Sequence, residues 1–254
     1  MLKERFDLTS RLALVTGASQ GIGRSIALGL AEYGADVIVL YHSGKKNAEK
    51  VAKEIKALNQ KAYLFQSDLS KNQAPEKLFA KLKKKHLFPD ILVINASVQV
   101  ARPWADMTEK DFSYQVNTNI RATLQLMQLF MPHLLEQQWG RIVTLGSVQE
   151  SRPHPAMIVY AATKAAVENM VKNVAIQVAD KGVTVNNLAP GVIGTPRIEE
   201  PVPEIDEEIH QRMTIPAGGI GEPEDCAAVA LLLCSEAGRF ITGQTIFVDG
   251  GMSL

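Results

Sequence analysis

Residues 12–23, LALVTGASQGIG, combine a short apolar run, a glycine-rich turn and the beginning of a helical pattern at about Ile22. Glycine has no Cβ, so a backbone rich in it can approach a phosphate group closely. The start of a helix adds unpaired N–H donors and the positive end of the helix dipole. This order of strand, turn and helix predicts a site for the pyrophosphate of a dinucleotide.

The alternation of apolar runs and helical patterns continues along the whole chain. Further β-branched or aliphatic runs occupy residues 37–40, 62–65, 91–94, 142–145, 183–188 and 245–248. Runs that are apolar at every position are typical of strands covered on both faces. We therefore predict an α/β fold, a doubly wound Rossmann-type sheet of about seven parallel strands with helices on both faces. Ligands of such sheets bind at the carboxyl ends of the strands.

The length of the chain favours a single domain. With 254 residues and no repeat or linker, we expect one dinucleotide-binding and catalytic domain over residues 1–254. Only residues 191–216 break the alternation, with four prolines and a cluster of acidic side chains. We predict a substrate lid there, and a surface loop without function is the alternative.

Composition and charge argue against several classes of protein. Lys plus Arg and Asp plus Glu both number 27, which is not the charge balance of a nucleic-acid-binding protein. No apolar span approaches the roughly 18 residues of a membrane helix, and the first ten residues lack the pattern of a secretory signal. We expect no membrane or nucleic-acid partner, a cytoplasmic location and, because the five histidines are scattered, no metal site.

Tyr160 and Lys164 lie four residues apart in a helical pattern, so both side chains are expected on one helix face. A free phenol titrates near pH 10 and is a poor base at neutral pH. A cation at about 4 Å stabilises the phenolate by roughly 4 kcal/mol at an effective dielectric of 20, or about three pH units. The pair predicts a tyrosine that exchanges protons near neutral pH, although a surface pair on a helix is the alternative.

Together with two earlier motifs, this pair resembles the catalytic set of the short-chain dehydrogenase/reductase family. Ser147 precedes Tyr160 by thirteen residues, and Asn119 matches the family's asparagine, for which Asn117 is the competing choice. The resemblance covers essentially the whole chain and includes the Gly-x-x-x-Gly-x-Gly turn. It implies an oxidoreductase that moves hydride between NAD(P) and an alcohol or carbonyl carbon.

The resemblance also implies a role for each member of this tetrad. Tyr160 is expected to act as the general acid or base, and Ser147 to hydrogen-bond the same substrate oxygen. Lys164 is expected to stabilise the ionised tyrosine and to hold the nicotinamide ribose. Asn119 is expected to bind a water that relays protons between Lys164 and solvent.

The cofactor contacts follow from the same resemblance. Asp68 matches the family's adenine-binding carboxylate, although the cap of a helix is an alternative role for it. Ser97 replaces the glycine that the family usually has after Asn95-Ala96, which predicts less backbone freedom beside the cofactor. The full predicted set is Gly17, Ser19, Gln20, Gly21, Ile22, Gly23, Tyr41, His42, Ser43, Asp68, Leu69, Asn95, Ala96, Ser97, Tyr160, Lys164, Pro190, Gly191, Val192, Ile193 and Thr195.

The choice of nicotinamide depends on the residues after the second strand, where a carboxylate would repel a 2′-phosphate. Tyr41 stands there without an acidic neighbour, and Lys45 and Lys46 follow. This favours NADP(H), with NAD(H) possible. Against it, Gln20 occupies a place that is basic in many NADP-dependent relatives, and the lysines could simply begin a solvated helix.

The substrate is encoded more weakly than the cofactor. A polar, partly cationic pocket favours a small sugar, polyol or oxo acid over a steroid. Reduction of a 3-oxoacyl group on an acyl carrier protein is the alternative within the family, and a non-catalytic nucleotide-binding sensor is the alternative of another class. The resemblance also implies a homo-oligomer, either a tetramer or a dimer. The predicted substrate contacts are Gln99, Arg102, Gln149, His154 and Arg197, with Trp104, Glu150, Arg152 and Met157 nearby.

Overall fold

The computed structural model describes residues 1–199, 202–203 and 214–254. Its strands are β1 (Leu12–Thr16), β2 (Asp36–Tyr41), β3 (Ala62–Gln66), β4 (Ile91–Ile94), β5 (Gly140–Leu145), β6 (Val183–Pro190) and β7 (Thr245–Val248). They form one sheet in the order β3-β2-β1-β4-β5-β6-β7, and every neighbouring pair is parallel. The predicted Rossmann-type sheet is confirmed.

Helices cover both faces of this sheet. They are α1 (Gly21–Glu32), α2 (Lys45–Ala57), α3 (Ala74–Lys83), α4 (Glu109–Gln115), α5 (Ala122–Glu136), α6 (Ile158–Val178) and α7 (Pro223–Cys234). Successive residues of a strand point to opposite faces, so Val15 packs with α1, α2 and α7 while Leu14 packs with α3, α5 and α6. The two apolar layers explain why the central strands β1, β2 and β4 are almost continuously apolar. No helix within the described ranges is long and apolar enough to cross a membrane.

All strands are parallel, but the order in which the chain adds them reverses between β1 and β4. The chain adds β2 and β3 on one side of β1 and then crosses to build β4 to β7 on the other side. Loops that leave the carboxyl ends of β1 and β4 therefore diverge, which opens a cleft at this edge. The Thr16 hydroxyl accepts hydrogen bonds from the backbone N–H groups of Asn95 (2.9 Å) and Ala96 (2.8 Å), and so ties the two strand ends together.

Two segments differ from the sequence-based expectation. β6 extends to Pro190, beyond the predicted end at Leu188, because it pairs with β7 as far as Val248. Residues Val116–Arg121, between α4 and α5, are π-helical, which the sequence pattern did not indicate. The predicted lid is described in part: Pro196–Glu199 form a 3-10 turn. Most of the acidic cluster, Glu200, Glu204, Asp206, Glu207 and Glu208, lies outside the described residues.

Candidate active site

A cleft of about 640 Å³ runs along the carboxyl edge of the sheet, a volume typical of sites for small molecules. Loops that follow β1 to β6 line it, as expected for a parallel sheet in which the strand order reverses. All of the predicted cofactor contacts lie along this cleft. Their roles toward a cofactor remain predictions.

The glycine turn after β1 is shaped by close backbone approach. Gly17 has a φ of +65°, a conformation that favours glycine. A Cβ on Gly23 would lie 2.4 Å from both the Gly17 carbonyl oxygen and Asn95 Nδ2, so no other residue fits without displacement. Asn95 Nδ2 also donates to the Thr16 carbonyl oxygen at 2.8 Å, which fixes the turn.

The N-terminus of α1 faces this turn and is suited to a phosphate. Gln20 is its cap residue, and its side chain makes no capping hydrogen bond. The first N–H groups of the helix therefore have no intrahelical or side-chain acceptor in the described part of the chain. Unpaired donors and the helix dipole together fit the pyrophosphate of a dinucleotide.

The far end of the cleft, after β2 and β3, is charged and partly exposed. Asp68 Oδ2 lies 3.6 Å from His42 Nε2 and 3.9 Å from Lys71 Nζ. Asp68 Oδ1 accepts hydrogen bonds from the Ser70 backbone N–H (3.0 Å) and the Ser70 hydroxyl (2.6 Å). Burial raises the pKa of Asp68, but these hydrogen bonds and the two cations outweigh it, and the pKa lies below its ordinary value. Asp68 thus both closes a local turn and presents a carboxylate to the cleft.

We call the end of the cleft after β2 and β3 the adenosine end, since the adenosine of the cofactor is predicted there. Lys45 and Lys46, the cations expected near it, do not line the cleft. Lys45 and Lys46 begin α2, and Lys45 Nζ lies 3.8 Å from Glu49 on the same helix. Arg24 pairs with Glu54 at 2.9 Å. The alternative that these lysines begin a solvated helix describes them better. The cleft is lined here by Ser19, Gln20, His42, Ser43 and Gly44.

At the other end of the cleft, Ser147 follows β5 and is held by a buried network. Its backbone N–H donates to Glu150 Oε1 at 2.9 Å. Glu150 also accepts two hydrogen bonds from Asn187 Nδ2, at 3.1 and 2.9 Å, and Asn187 Oδ1 accepts one from the Thr144 hydroxyl at 2.8 Å. Burial raises the pKa of Glu150, and this outweighs the hydrogen bonds that it accepts. The network fixes the backbone of Ser147 from beneath.

Tyr160 and Lys164 line the same end of the cleft from α6. Both are buried, and Lys164 Nζ lies 5.5 Å from the centroid of the Tyr160 ring. Lys164 Nζ also donates to the carbonyl oxygen of Leu145, which anchors the ammonium to the end of β5. Burial lowers the pKa of Lys164, and the Arg197 cation lowers it further, while Tyr160 and Glu150 oppose the shift. The helix therefore places the phenol and the ammonium together, as their spacing predicts.

Asn119 is buried in the π-helical segment and does not line the cleft. Its Oδ1 accepts from the Val98 backbone N–H at 2.9 Å. Its Nδ2 donates to the Val98 carbonyl oxygen at 2.9 Å and to the Thr163 hydroxyl at 3.0 Å, which uses both amide protons. The side chain therefore clamps the loop after β4 to α6, beside Tyr160. The water relay through Asn119 remains a prediction.

Four of the five predicted substrate contacts line the cleft, namely Gln99, Gln149, His154 and Arg197. The fifth, Arg102, does not line the cleft, and its Nε lies 3.3 Å from Asp111 Oδ2. Its contact with a substrate remains a prediction.

Of the residues predicted nearby, Met157 lines the cleft and three do not. Trp104 is exposed on a different surface, and Glu150 lies beneath Ser147. Arg152 Nη1 donates to the carbonyl oxygen of Met252 at 2.7 Å. Glu150 and Arg152 have partners that are distant along the chain, Asn187 and Met252, so the loop position alone could not predict their orientation.

Several residues of the cleft carried no sequence signal. Tyr114 and Thr118 line it from α4 and the π-helical segment, and Met252 reaches it from beyond β7. Tyr114 and Thr118 lie one helical turn apart, a spacing that is too common to indicate a site. Among the described residues no group of three His, Cys, Asp or Glu side chains could hold a metal ion.

A known protein family and known proteins match nearly the whole chain. The family described as Enoyl-(Acyl carrier protein) reductase matches residues 17–253. A 3-oxoacyl-[acyl-carrier-protein] reductase of Staphylococcus epidermidis is 35% identical over 245 residues, which are 96% of this chain and 99% of that protein.

Solved structures agree with these sequence matches. A 3-oxoacyl (acyl-carrier-protein) reductase of Agrobacterium tumefaciens C58 with NADP bound is 36% identical, with a TM-score of 0.89 over 99% of this chain and 97% of that one. A gluconate 5-dehydrogenase of Burkholderia cenocepacia J2315 in complex with NADP and tartrate is 29% identical. Its TM-score is 0.87 over 100% of this chain and 99% of that one.

Proposed function

The chain belongs to the short-chain dehydrogenase/reductase family and is an NAD(P)-dependent oxidoreductase of CH–OH groups, and from this premise we propose its site residues, cofactor and substrate class. Ser147, Tyr160 and Lys164 act on the substrate and the nicotinamide, and Asn119 positions them. The cofactor is NADP(H), and the substrate is a small polar sugar, polyol or oxo acid. One observation carries the proposal: Ser147, Tyr160 and Lys164 line the same cleft as the glycine turn.

The geometry supports a division of labour between these side chains. When bound, the nicotinamide supplies or accepts the hydride. In reduction, the Tyr160 hydroxyl gives its proton to the substrate oxygen, and in oxidation the phenolate takes it back. The Lys164 ammonium stabilises the phenolate because both groups lie in a buried, low-dielectric setting. Ser147 Oγ accepts from the Gln149 backbone N–H at 3.2 Å, so its own proton is free for the substrate oxygen.

The adenosine end supports NADP(H) through small polar groups. Ser19, His42 and Ser43 line the cleft there, and hydroxyl and imidazole groups can donate hydrogen bonds to a 2′-phosphate. Asp68, the nearest carboxylate, is already paired with His42 and Lys71, so its repulsion of a phosphate is reduced. The A. tumefaciens and B. cenocepacia structures both hold NADP.

The substrate end supports a small polar molecule. Gln99, Gln149 and His154 bring amide and imidazole groups to the cleft beside Ser147. A steroid would need a more apolar pocket. The B. cenocepacia gluconate 5-dehydrogenase, which shares the fold, binds the polyhydroxy acid tartrate.

A second candidate is reduction of a 3-oxoacyl group on an acyl carrier protein, which the S. epidermidis and A. tumefaciens relatives favour. An acidic carrier would dock on basic side chains at the mouth of the cleft. Arg102 lies 3.3 Å from Asp111 and Arg152 donates to the Met252 carbonyl oxygen at 2.7 Å, and neither arginine lines the cleft. We therefore rank this candidate second, and a non-catalytic nucleotide sensor third.

We also infer a homo-oligomer, a dimer or a tetramer, as the family resemblance implies; Ile176 and Phe240, which are 82% and 95% exposed, are apolar side chains that an interface would cover. Light scattering after size exclusion tests this inference. A monomer at micromolar concentration would contradict it.

A substrate screen tests the function. Absorbance of reduced nicotinamide is followed with NADPH or NADP⁺ and with sugars, sugar acids, polyols, 3-oxoacyl thioesters, diketones and a hydroxysteroid. Turnover is expected with a sugar, sugar acid or polyol and lost in Tyr160→Phe. Preferred turnover of 3-oxoacyl thioesters would establish the second candidate instead. NADPH binding without turnover of any compound would support the sensor.

A further inference from the structure

Arg197 occupies an unusual position at the substrate end of the cleft. It belongs to the 3-10 turn Pro196–Glu199, two residues after Thr195, and its half-buried side chain lines the cleft together with Ser147 and Tyr160. Its Nη1 donates to Ser97 Oγ at 3.1 Å and its Nη2 to the Ser97 carbonyl oxygen at 2.8 Å. The side chain thus bridges the loop after β6 and the loop after β4.

The contacts with Ser97 hold the guanidinium but do not neutralise it. Both acceptor oxygens are uncharged, and a guanidinium has five N–H donors, of which these bonds use two. No carboxylate among residues 1–199, 202–203 and 214–254 pairs with Arg197 within 4 Å. Within the part of the chain that the structure describes, three donors and the full charge remain for a ligand.

Among the described residues, the charges around Arg197 make this end of the cleft positive. Lys164 is the second cation there, and the field of Arg197 lowers the pKa of Lys164. Glu150 is the acidic side chain in the loop after β5. It lies beneath Ser147 and accepts hydrogen bonds from the Ser147 backbone and from Asn187. Asp68 lines the cleft only at the adenosine end, where it is paired with His42. An anionic group beside Arg197 would therefore relieve repulsion between two cations.

We propose that Arg197 binds a carboxylate of the substrate, so that the enzyme acts on a hydroxy acid or oxo acid rather than on a neutral polyol or sugar. A planar guanidinium suits a carboxylate because two parallel N–H groups can meet its two oxygens. The carboxylate is unchanged by the reaction: in reduction, the carbonyl carbon receives hydride from reduced nicotinamide and the carbonyl oxygen receives the proton of Tyr160. This assignment rests on the proposed function and narrows its substrate class.

Ser97 is the positioning partner of Arg197. Its hydroxyl supplies one of the two acceptors, and a glycine at this position would supply only the carbonyl oxygen. Ser97 is not among the residues with positive φ, so the serine fits this backbone without strain. The serine therefore adds a contact to Arg197 without backbone strain.

Binding is tested first, independently of turnover. Calorimetry with the full chain and saturating NADP⁺ measures the affinity of malonate and of neutral malonamide. Malonate is expected to bind more tightly, and Arg197→Gln to weaken malonate binding by roughly tenfold to a hundredfold, the range of one charge-assisted hydrogen-bonded contact. Arg197→Lys, which keeps the charge and loses the fork, is expected to fall between them. Arg239→Gln, a change at an exposed arginine outside the cleft, is the matched control and leaves binding unchanged.

Turnover is tested with D-gluconate and D-glucitol, which differ in one carboxylate. Arg197→Gln is expected to raise KM for D-gluconate by roughly tenfold or more. Its kcat and its Kd for NADPH are expected to change less than threefold, and Ser97→Ala should give a smaller rise in KM.

Equal use of both compounds by the unmodified enzyme, with no effect of Arg197→Gln, would overturn the carboxylate site and leave the proposed function standing. Absence of turnover with every compound of the screen, with malonate still bound through Arg197, would overturn the proposed function alone. Malonate affinity that is equal in Arg197→Gln and Arg239→Gln would overturn the site in either case.

Discussion

The two ends of the cleft differ in how far their polar side chains are buried. At the substrate end, Tyr160 and Lys164 are only 6% and 4% exposed, and the polar groups around them have partners within the protein. At the adenosine end, the side chains of His42 and Asp68 are 60% and 27% exposed, and His42 Nε2 lies 3.6 Å from Asp68 Oδ2. One end is preorganised by burial and hydrogen bonds, and the other presents charges to solvent.

This difference determines what a substitution costs at each end. A buried polar group that loses its partner carries the full desolvation penalty, whereas an exposed ion pair contributes little. Changes at the substrate end should therefore alter rate and stability together. Changes at the adenosine end should alter only the choice of ligand.

The largest effect is expected from Tyr160→Phe. Loss of the phenolic hydroxyl removes the proton donor, so kcat should fall by roughly a hundredfold to ten-thousandfold. NADPH affinity, measured by quenching or enhancement of nicotinamide fluorescence, should change less than threefold. A kcat within tenfold of the unmodified enzyme would remove Tyr160 from the chemistry.

Glu150→Ala should be the next largest. The Ser147 N–H and Asn187 Nδ2 would lose their buried acceptor, which costs about 1–3 kcal/mol in the free energy of unfolding. Ser147 would also be held less firmly, so kcat should fall while the Kd for NADPH does not. Urea denaturation and steady-state kinetics measure the two effects. A variant with unchanged stability and rate would show that the network does not support Ser147.

The network should also make stability depend on pH. Burial raises the pKa of Glu150 above its ordinary value of 4.5, so above pH 4.5 the folded state keeps a proton that the unfolded state releases. The free energy of unfolding, relative to that of the non-titrating Glu150→Gln, should therefore be highest below pH 4.5 and fall as pH rises through the raised pKa. Urea denaturation between pH 4 and about 8 measures the difference. A difference that grows with pH would contradict this prediction.

The smallest effect is expected at the adenosine end. His42→Asp places a carboxylate beside the proposed 2′-phosphate position, so NADPH should bind about tenfold more weakly and NADH no worse. Stability should be unchanged because His42 is exposed. Lys45→Ala, on the neighbouring helix and outside the cleft, is the matched control and should alter neither affinity. If both variants weakened NADPH binding equally, Lys45 would have to contact the 2′-phosphate after all.

Much of the substrate end could be predicted because its motif is local. Tyr160 and Lys164 share a helix face through their spacing alone, and Ser147 follows a strand whose end must lie at the carboxyl edge of a parallel sheet. The position of the glycine turn could also be predicted, since its strand, turn and helix are contiguous in the sequence. The adenosine end was predicted less well. The sequence left open whether Lys45 and Lys46 approach the cofactor or begin a solvated helix, and the structure places them at the start of α2, outside the cleft.

The amino-acid sequence by itself determined the fold class, the position of the glycine turn and the shared helix face of Tyr160 and Lys164, because periodicity and spacing act over a few residues. Only the tertiary structure decided that Asn119 clamps Val98 and Thr163 and that Arg197 lines the cleft while Arg102 turns to Asp111. Those outcomes depend on partners that are distant along the chain or on another element. The direction of a side chain in a loop is set by such partners, and no local pattern encodes it.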